Sequence, residues 1–176
     1  MKKILIVVDM QKDFVDGALG SEQAVAIVEN VVKKIEAHDG DIIATYDTHP
    51  ENYMDIQEGK YLPVPHCIKG TDGWKLDSRV EAALAKKEYK AIEKPTFGSV
   101  VLVDYIKENY SPEEIEIELI GLCTDICVVS NALLMKANFL ETKISVDASC
   151  CAGVTEESHN AALLTMKMCQ INITEE

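Results

Sequence analysis

The sequence predicts an α/β fold in three layers, α/β/α, with a mostly parallel six-stranded sheet in the middle. Two observations support this prediction: short apolar runs alternate with stretches of helical spacing, and turn residues separate them. Such an alternation of strand and helix implies parallel strands joined by right-handed crossovers. With 176 residues and 47% hydrophobic content, the chain can bury one sizeable core, so we expect a single domain over residues 1–176.

The first half of the chain contains three predicted strands. Residues 4–8 form a continuous apolar run, which is typical of a strand buried on both faces. In residues 21–37 the apolar positions recur at helical spacing, and the first residue is a serine that can cap the helix. Strands at 41–46 and 89–93 follow, with a helix near 76–85 between them.

The second half continues the same alternation. A helical pattern at 100–109 leads into an apolar strand at 115–120, and another helical pattern occupies 128–139. The remaining predicted elements are a strand at 142–146, a helix at 155–168 and a short final strand at 171–173.

Residues 47–73 interrupt this alternation. They contain three prolines and three glycines and show no regular period, so we interpret them as a long excursion over the carboxyl end of the sheet. Loops of this length in a compact domain are usually functional.

The composition excludes several classes of partner. The formal charge of −13 argues against nucleic acid and anionic membranes, which bind through basic patches, and favours a small-molecule substrate. The apolar run before Asp9 is too short for a signal-peptide core or a membrane span, so we expect a cytoplasmic protein. The six cysteines are expected to be free thiols, most of them buried.

Three reactive side chains come directly after predicted strands. Asp9 follows the first strand, Lys94 the third and Cys127 the fourth. Because ligands of parallel sheets bind beyond the carboxyl ends of the strands, we expect these side chains to converge on one rim. Each also has a structural interpretation, as a turn residue, a solvated lysine or a packed thiol respectively.

A thiol near the start of a helix can act as a nucleophile. With Thr124 or Asp125 as the N-cap, Cys127 falls in the first helical turn. Free N–H groups and the helix dipole there favour the thiolate and can hold an oxyanion. Asp9 can accept the thiol proton and pass it to a leaving amine, while Lys94 would hold Asp9 and favour the thiolate.

The excursion offers a candidate metal site. Two imidazoles and two carboxylates lie within twenty residues, namely Asp47, His49, Glu58 and His66. This mixed nitrogen and oxygen set suits zinc, iron or manganese. Histidines beside carboxylates in a loop are also common as solvated surface groups, and spacing alone leaves both interpretations open.

Three ordered motifs resemble the isochorismatase-like cysteine hydrolases: VDMQKDF at residues 8–14, KPTF at 94–97 and GLCTDICV at 121–128. The resemblance implies that Asp9, Lys94 and Cys127 form a catalytic triad that cleaves a C–N bond through a thioester. It also implies a cis peptide between Leu122 and Cys123, with the N–H groups of Cys123 and Cys127 facing the oxyanion.

Within that family the excursion is similar to that of nicotinamidases. The resemblance implies nicotinamide hydrolysis and one divalent ion, zinc first and otherwise iron or manganese, held by Asp47, His49, Glu58 and His66. Phe14 would then pack on the substrate ring, with Phe97 as a second candidate. Leu62 stands near where nicotinamidases carry a bulky aromatic. The resemblance further implies a homo-oligomer.

Three other functions remain open from the sequence. The chain could be another amide or carbamoyl hydrolase of the same family, without a metal. Cys123 and Cys127 could form a thiol redox pair, although such pairs usually read Cys-x-x-Cys and these residues are one position further apart. A non-catalytic binding module would leave Asp9 and Lys94 without a role.

Overall fold

The computed structural model describes residues 1–175 and confirms the predicted three-layer α/β fold. Six parallel strands form one sheet in the order β3-β2-β1-β4-β5-β6. The strands are β1 Lys2–Val8, β2 Asp41–Asp47, β3 Tyr89–Lys94, β4 Ile115–Leu122, β5 Lys143–Ala152 and β6 Asn172–Thr174. The helices are α1 Lys12–Val15, α2 Glu22–Ala37, α3 Gln57–Tyr61, α4 Ser78–Leu84, α5 Val100–Asn109, α6 Val129–Asn138 and α7 Glu156–Met168.

The two faces of the sheet carry separate cores. Because side chains alternate along a strand, Ile4 and Ile6 of β1 pack toward α5, α6 and α7, while Leu5 and Val7 pack toward α2 and α4. A strand covered on both faces must be apolar throughout, which is why β1 shows an unbroken apolar run. In the described part of the chain, no helix combines the length and apolarity that crossing a bilayer requires.

Strand β5 is twice as long as predicted. The predicted strand ended at residue 146, before Asp147, whose carboxylate is atypical of a buried strand. Asp147 is fully buried, but its carboxylate contacts the Lys34 ammonium at 2.8 Å and accepts hydrogen bonds from Ser149. The pairing with β4 also slips here, since Val146 lies opposite Leu119 and Cys151 opposite Gly121.

The excursion lies beyond the carboxyl end of the sheet and is more ordered than predicted. It contains a 3₁₀ turn, Tyr53–Asp55, and the short helix α3, neither of which was predicted. Outside the excursion, the four-residue helix α1, just before α2, was also not predicted. The indole of Trp74 donates a hydrogen bond to the Thr48 hydroxyl at 2.9 Å and closes the base of the excursion. The side-chain amide of Gln11 donates to the carbonyls of both Asp47 and Trp74.

Candidate active site

Strand register brings three sequence-distant residues together. In the sheet, Val8 lies opposite Gly121 and Asp47 opposite Lys94, so β1, β2, β3 and β4 end at nearly the same level. Asp9 follows β1, Lys94 ends β3 and Cys127 lies in the turn after β4. The Lys94 ammonium is 2.6 Å from an Asp9 carboxylate oxygen and 3.4 Å from the Cys127 sulfur. The predicted convergence on one rim is therefore confirmed.

The backbone at this rim adopts conformations that fix the cluster. Asp9 has a positive φ of 46°, and its other carboxylate oxygen accepts a hydrogen bond from the Thr45 hydroxyl at 2.6 Å. Gly121 has a φ of 118°, and a Cβ there would collide with the Val8 carbonyl. Only glycine lets β4 lie this close to β1 immediately before the turn that carries Cys127.

The charges of the cluster differ from the sequence expectation. Burial raises the pKa of Asp9, and the charge of Lys94 opposes this. Burial is the largest single influence on Lys94 and lowers its pKa, but the neighbouring acidic groups, Asp9 first among them, together outweigh burial, so the net pKa is raised and the ammonium stays protonated. Burial, followed by the Asp9 charge, raises the pKa of Cys127 well above its ordinary value, although Lys94 opposes both. Lys94 favours the thiolate as expected, but the net shift is opposite to the one expected from a helix start, because Cys127 lies in the interior rather than at an exposed helix end.

The turn that carries Cys127 also begins differently from the prediction. Thr124–Val128 is a π-helical turn continuous with α6, and its N-cap is Cys123, which makes no side-chain cap bond. Neither Thr124 nor Asp125 caps this turn, because the side chain of each contacts α7 or the residues just before it. The peptide between Leu122 and Cys123 is cis, as the family resemblance implies.

The four predicted metal ligands come together beside this cluster. Their ligand atoms, one from each of Asp47, His49, Glu58 and His66, lie within 4.8 Å of one another. The His49 Nε2 is 2.9 Å from Asp47 and 3.5 Å from Glu58, and the His66 Nε2 is 3.5 Å and 3.6 Å from the same carboxylates. A tetrahedral ion with bonds of about 2.05 Å separates its ligand atoms by about 3.3 Å. The donor set therefore fits a single divalent ion in its chemistry, and the four imidazole–carboxylate distances lie close to the spacing that such an ion requires.

Surrounding groups orient the two imidazoles. The Nδ1 of His66 lies 2.8 Å from the Val64 carbonyl, to which it can donate a hydrogen bond, leaving Nε2 as the free donor atom for an ion. The buried Tyr53 ring packs edge-on against His49 and His66, with centroids 5.0 and 5.1 Å away. Its hydroxyl donates to the Leu62 carbonyl at 2.9 Å. Tyr53 thus joins both imidazoles to the outer part of the excursion.

Asp47 belongs to both clusters. One carboxylate oxygen faces the two imidazoles, and the other lies 3.7 Å from the Lys94 ammonium. Burial raises its pKa, but hydrogen bonds from His49 and His66 and the charge of Lys94 outweigh burial and hold the pKa below its usual range. The Gln11 side chain fixes its backbone through two 2.8 Å hydrogen bonds. The two clusters therefore form one continuous polar site.

The predicted substrate-binding residues occupy different environments. Phe14 is almost fully buried, with its ring centroid 5.5 Å from that of His66. Phe97 is 43% exposed and lines a cavity of about 540 Å³ together with Glu58 and Tyr61. Leu62 is 38% exposed. Phe14 thus lies beside the metal-ligand histidine His66, and Phe97 lines a cavity that Glu58 also borders. Leu62 is partly exposed, and its carbonyl accepts the hydrogen bond from Tyr53.

Sequence reasoning missed three residues that support the site: Thr45, Gln11 and Tyr53. Thr45 is a buried polar residue that follows the apolar run Ile42–Ala44 in β2, and a polar residue at that position is the one local signal of its role. Gln11 lies two residues after Asp9 and has the pattern of an ordinary loop residue. Tyr53 gives no signal of its own, because its contacts exist only once the excursion has folded.

Comparisons with known proteins find similar sequences and similar folds over nearly the whole chain. A curated isochorismatase-family protein, PncA of Bacillus subtilis, is 30% identical over 173 residues, covering 93% of each chain. The nicotinamidase/pyrazinamidase of Mycobacterium tuberculosis is 27% identical and covers 97% of each chain. The crystal structure of the Bacillus subtilis nicotinamidase/pyrazinamidase superposes with a TM-score of 0.87 at 28% identity, covering 99% of this chain and 100% of that one.

A zinc-containing structure has the same fold. The pyrazinamidase of Pyrococcus horikoshii, solved in complex with zinc, superposes with a TM-score of 0.78 at 25% identity and full coverage of both chains. The sequence model of the Isochorismatase domain family matches residues 3–176. With that match over nearly its whole length and the strand-end cluster in place, the chain belongs to the isochorismatase family.

Proposed function

We propose that this chain is a nicotinamidase, a hydrolase of amide C–N bonds that converts nicotinamide to nicotinate and ammonia. The observation that carries the proposal is the continuity of two clusters through Asp47, a buried Asp9–Lys94–Cys127 group and a set of ligands for a divalent ion. The relatives named nicotinamidase support the choice of substrate.

The first half of the reaction forms a thioester on Cys127. As the sulfur attacks the carboxamide carbon, Asp9 accepts the thiol proton, so the charge moves from carboxylate to substrate oxygen. The N–H groups of Cys123 and Cys127 hold that oxyanion. When the tetrahedral intermediate collapses, Asp9 returns the proton to the nitrogen and ammonia leaves. Lys94 stays protonated throughout, holds Asp9 and stabilises charge that develops on the sulfur.

The second half releases nicotinate. A water molecule gives a proton to Asp9 while the water oxygen attacks the thioester carbon. The N–H groups of Cys123 and Cys127 again hold the new oxyanion. Collapse expels the Cys127 sulfur, which recovers its proton from Asp9. Because the pKa of Cys127 is raised, the protonated thiol is the resting form to which the enzyme returns.

Asp47, His49, Glu58 and His66 would hold one divalent ion, for which zinc is our first choice and iron or manganese the others. When bound, the ion supplies a coordination point for the pyridine nitrogen and so orients the carboxamide toward Cys127. Phe14 would contact the ring beside His66, and Phe97 and Leu62 would border its entrance.

The redox alternative is less compatible with the site. Burial raises the pKa of Cys123 to about 12, and burial also raises the pKa of Cys127. Thiol exchange also requires a thiolate at Cys123, and the raised pKa of that residue disfavours one.

An ammonia-release screen tests the proposal. Protein purified without a histidine tag would be assayed on nicotinamide, pyrazinamide and several carbamoyl compounds, with and without a chelator, and its metal content measured. We expect release from nicotinamide, loss with chelator and about one ion per chain. Turnover restricted to carbamoyl compounds, with no stoichiometric metal, would instead establish the metal-free hydrolase. Self-association and a cytoplasmic location stay predictions, and sedimentation of the purified protein tests the first.

A further inference from the structure

The first turn of α7 contacts the turn that carries the proposed nucleophile. The Nδ1 of His159 lies 2.7 Å from the hydroxyl of Thr124, which is fully buried. The carboxylate of the next residue, Asp125, accepts hydrogen bonds from the Ser158 hydroxyl and, at 3.0 Å, from the Val154 N–H. The start of the Cys127 turn is therefore held from outside by α7 and the residues that lead into it.

The chain is shaped for this close approach. At Gly153, between β5 and α7, a Cβ would lie 2.8 Å from the Cβ of His159 and 3.0 Å from its Cα. That is closer than side chains ordinarily pack, so glycine is required for His159 to sit over the turn. Thr155 and Ser158 form a capping box that fixes the first turn of the helix. His159 is consequently presented to Thr124 from a well-defined helix end.

The protonation state of the ring allows Nδ1 to accept a hydrogen bond. Burial lowers the pKa of His159, and the charges of Asp125 and Glu156 oppose it without reversing the direction. The ring is then neutral near neutral pH, and with its proton on Nε2 it accepts from the Thr124 hydroxyl at Nδ1. The side-chain oxygen of an asparagine can occupy nearly the same place as Nδ1.

We propose that His159 is a positioning residue for the nucleophile, holding the Thr124 hydroxyl so that the turn aims the Cys127 sulfur at Lys94 and Asp9. His159 acts on the position of the Cys127 sulfur only through its contact with Thr124 in the turn. The role rests on the proposed function, because the reaction it serves is the attack of Cys127 on an amide.

Three variants test this role: His159→Leu removes the acceptor, His159→Asn retains it, and Asn160→Leu alters the exposed neighbour on the same helix. We expect His159→Leu to lower kcat on nicotinamide by about 10- to 100-fold, because small displacements of a nucleophile are costly. Its KM should stay within about twofold, since ground-state binding is untouched. His159→Asn should recover most of kcat, and Asn160→Leu should match the wild type.

Two further measurements keep the test decisive. Thermal unfolding shows whether each variant is folded at the assay temperature. The rate of iodoacetamide labelling at Cys127, followed by mass spectrometry, reports on the thiol without any substrate, and we expect His159→Leu to change it while His159→Asn does not. The proposal is overturned if His159→Leu turns over like the wild type, or if His159→Asn loses as much as His159→Leu. If the wild type releases no ammonia from nicotinamide, the proposed function fails and the labelling rates alone decide the role of His159.

Discussion

The strand-end cluster and the ligand cluster are neighbours that are built in different ways. Asp9, Lys94 and Cys127 come from three strand ends far apart in the sequence, and sheet register brings them together. The four ligands come from one continuous segment, residues 47–66. The first cluster therefore depends on the whole sheet, whereas the second depends mainly on contacts within the excursion.

The excursion maintains its ligands through local bonds. The backbone N–H of His49 donates to the Cys67 carbonyl, and the backbone carbonyl of His49 accepts from the Lys69 N–H, each at 3.0 Å. These two bonds pair the beginning of the ligand segment with the residues just after its end. Tyr53 packs between the imidazoles and the Leu62 carbonyl. Changes here should remove the metal and substrate orientation while leaving the sheet and the thiol in place.

The sharpest test of the strand-end cluster is Cys127→Ala. Loss of the nucleophile should lower kcat for ammonia release by more than about 10⁴-fold, because the proposed thioester forms on Cys127. The metal content should stay at the wild-type level, since the ligand cluster does not include the thiol. Cys169→Ala, at an exposed free cysteine, is the matched control and should be fully active. Full turnover by a metal-loaded Cys127→Ala protein would contradict the mechanism.

The next largest effect should come from the buried ion pair. Asp9→Asn removes the proton acceptor and should lower kcat by about 10²- to 10⁴-fold. It also takes the nearest carboxylate from the buried Lys94 ammonium and leaves only Asp47, at 3.7 Å, which should lower the free energy of unfolding by up to about 3–5 kcal/mol. The double variant Asp9→Asn/Lys94→Met should recover much of the lost free energy of unfolding but none of the activity.

Urea unfolding and ammonia release measure these two effects. The exposed pair Lys33 and Glu29, 2.7 Å apart, is the control. Breaking it with Glu29→Gln should change the free energy of unfolding by no more than about 0.5 kcal/mol. An Asp9→Asn protein as stable as the wild type would show that sheet register, and not the ion pair, holds the strand ends together.

Removing one metal ligand should separate the two clusters. His66→Ala should abolish stoichiometric metal and lower nicotinamide turnover by at least about 10- to 100-fold. The rate of iodoacetamide labelling at Cys127 should change little, because the thiol contacts Lys94 and not the imidazoles. His38→Ala, at the C-terminal end of α2, is the matched histidine control. A large change in labelling with His66→Ala would mean that the two clusters are not independent.

The smallest expected effect is at Tyr53→Phe. Losing the hydrogen bond to the Leu62 carbonyl should cost about 1 kcal/mol in the free energy of unfolding and weaken metal retention slightly, while the ring contacts remain. Urea unfolding and metal titration measure this. Tyr61→Phe, at an 85% exposed tyrosine, should have no effect. Equal behaviour of both variants would remove Tyr53 from the support of the ligand cluster.

The sequence predicts the strand-end cluster well because parallel strands place their ends on one edge, so position along the chain is enough to group Asp9, Lys94 and Cys127. The ligand set rests on the family resemblance, because the closeness of the four residues in sequence is equally compatible with solvated surface groups. The reach of β5 past Asp147 was not predictable, because it depends on Lys34, which pairs with that carboxylate from a distant helix.

The electrostatics of Cys127 show the same limit. A helix start predicts a lowered pKa, and this holds for a thiol that water can reach. Burial among residues from several elements reverses the direction, and no local pattern in residues 121–128 reports that burial. The cap prediction failed for a similar reason, because Thr124 and Asp125 bond to groups in or next to α7, a helix about thirty residues further along the chain.

The central place of β1 has a consequence for how the protein is made. One edge of β1 pairs with β2, which follows it closely, but the other edge pairs with β4, from Lys2 opposite Ile115 to Val8 opposite Gly121. During synthesis from the N-terminus, that edge stays open until residues 115–122 have emerged. An apolar strand with an open edge can pair with other chains, so nascent or truncated forms that end before β4 should aggregate.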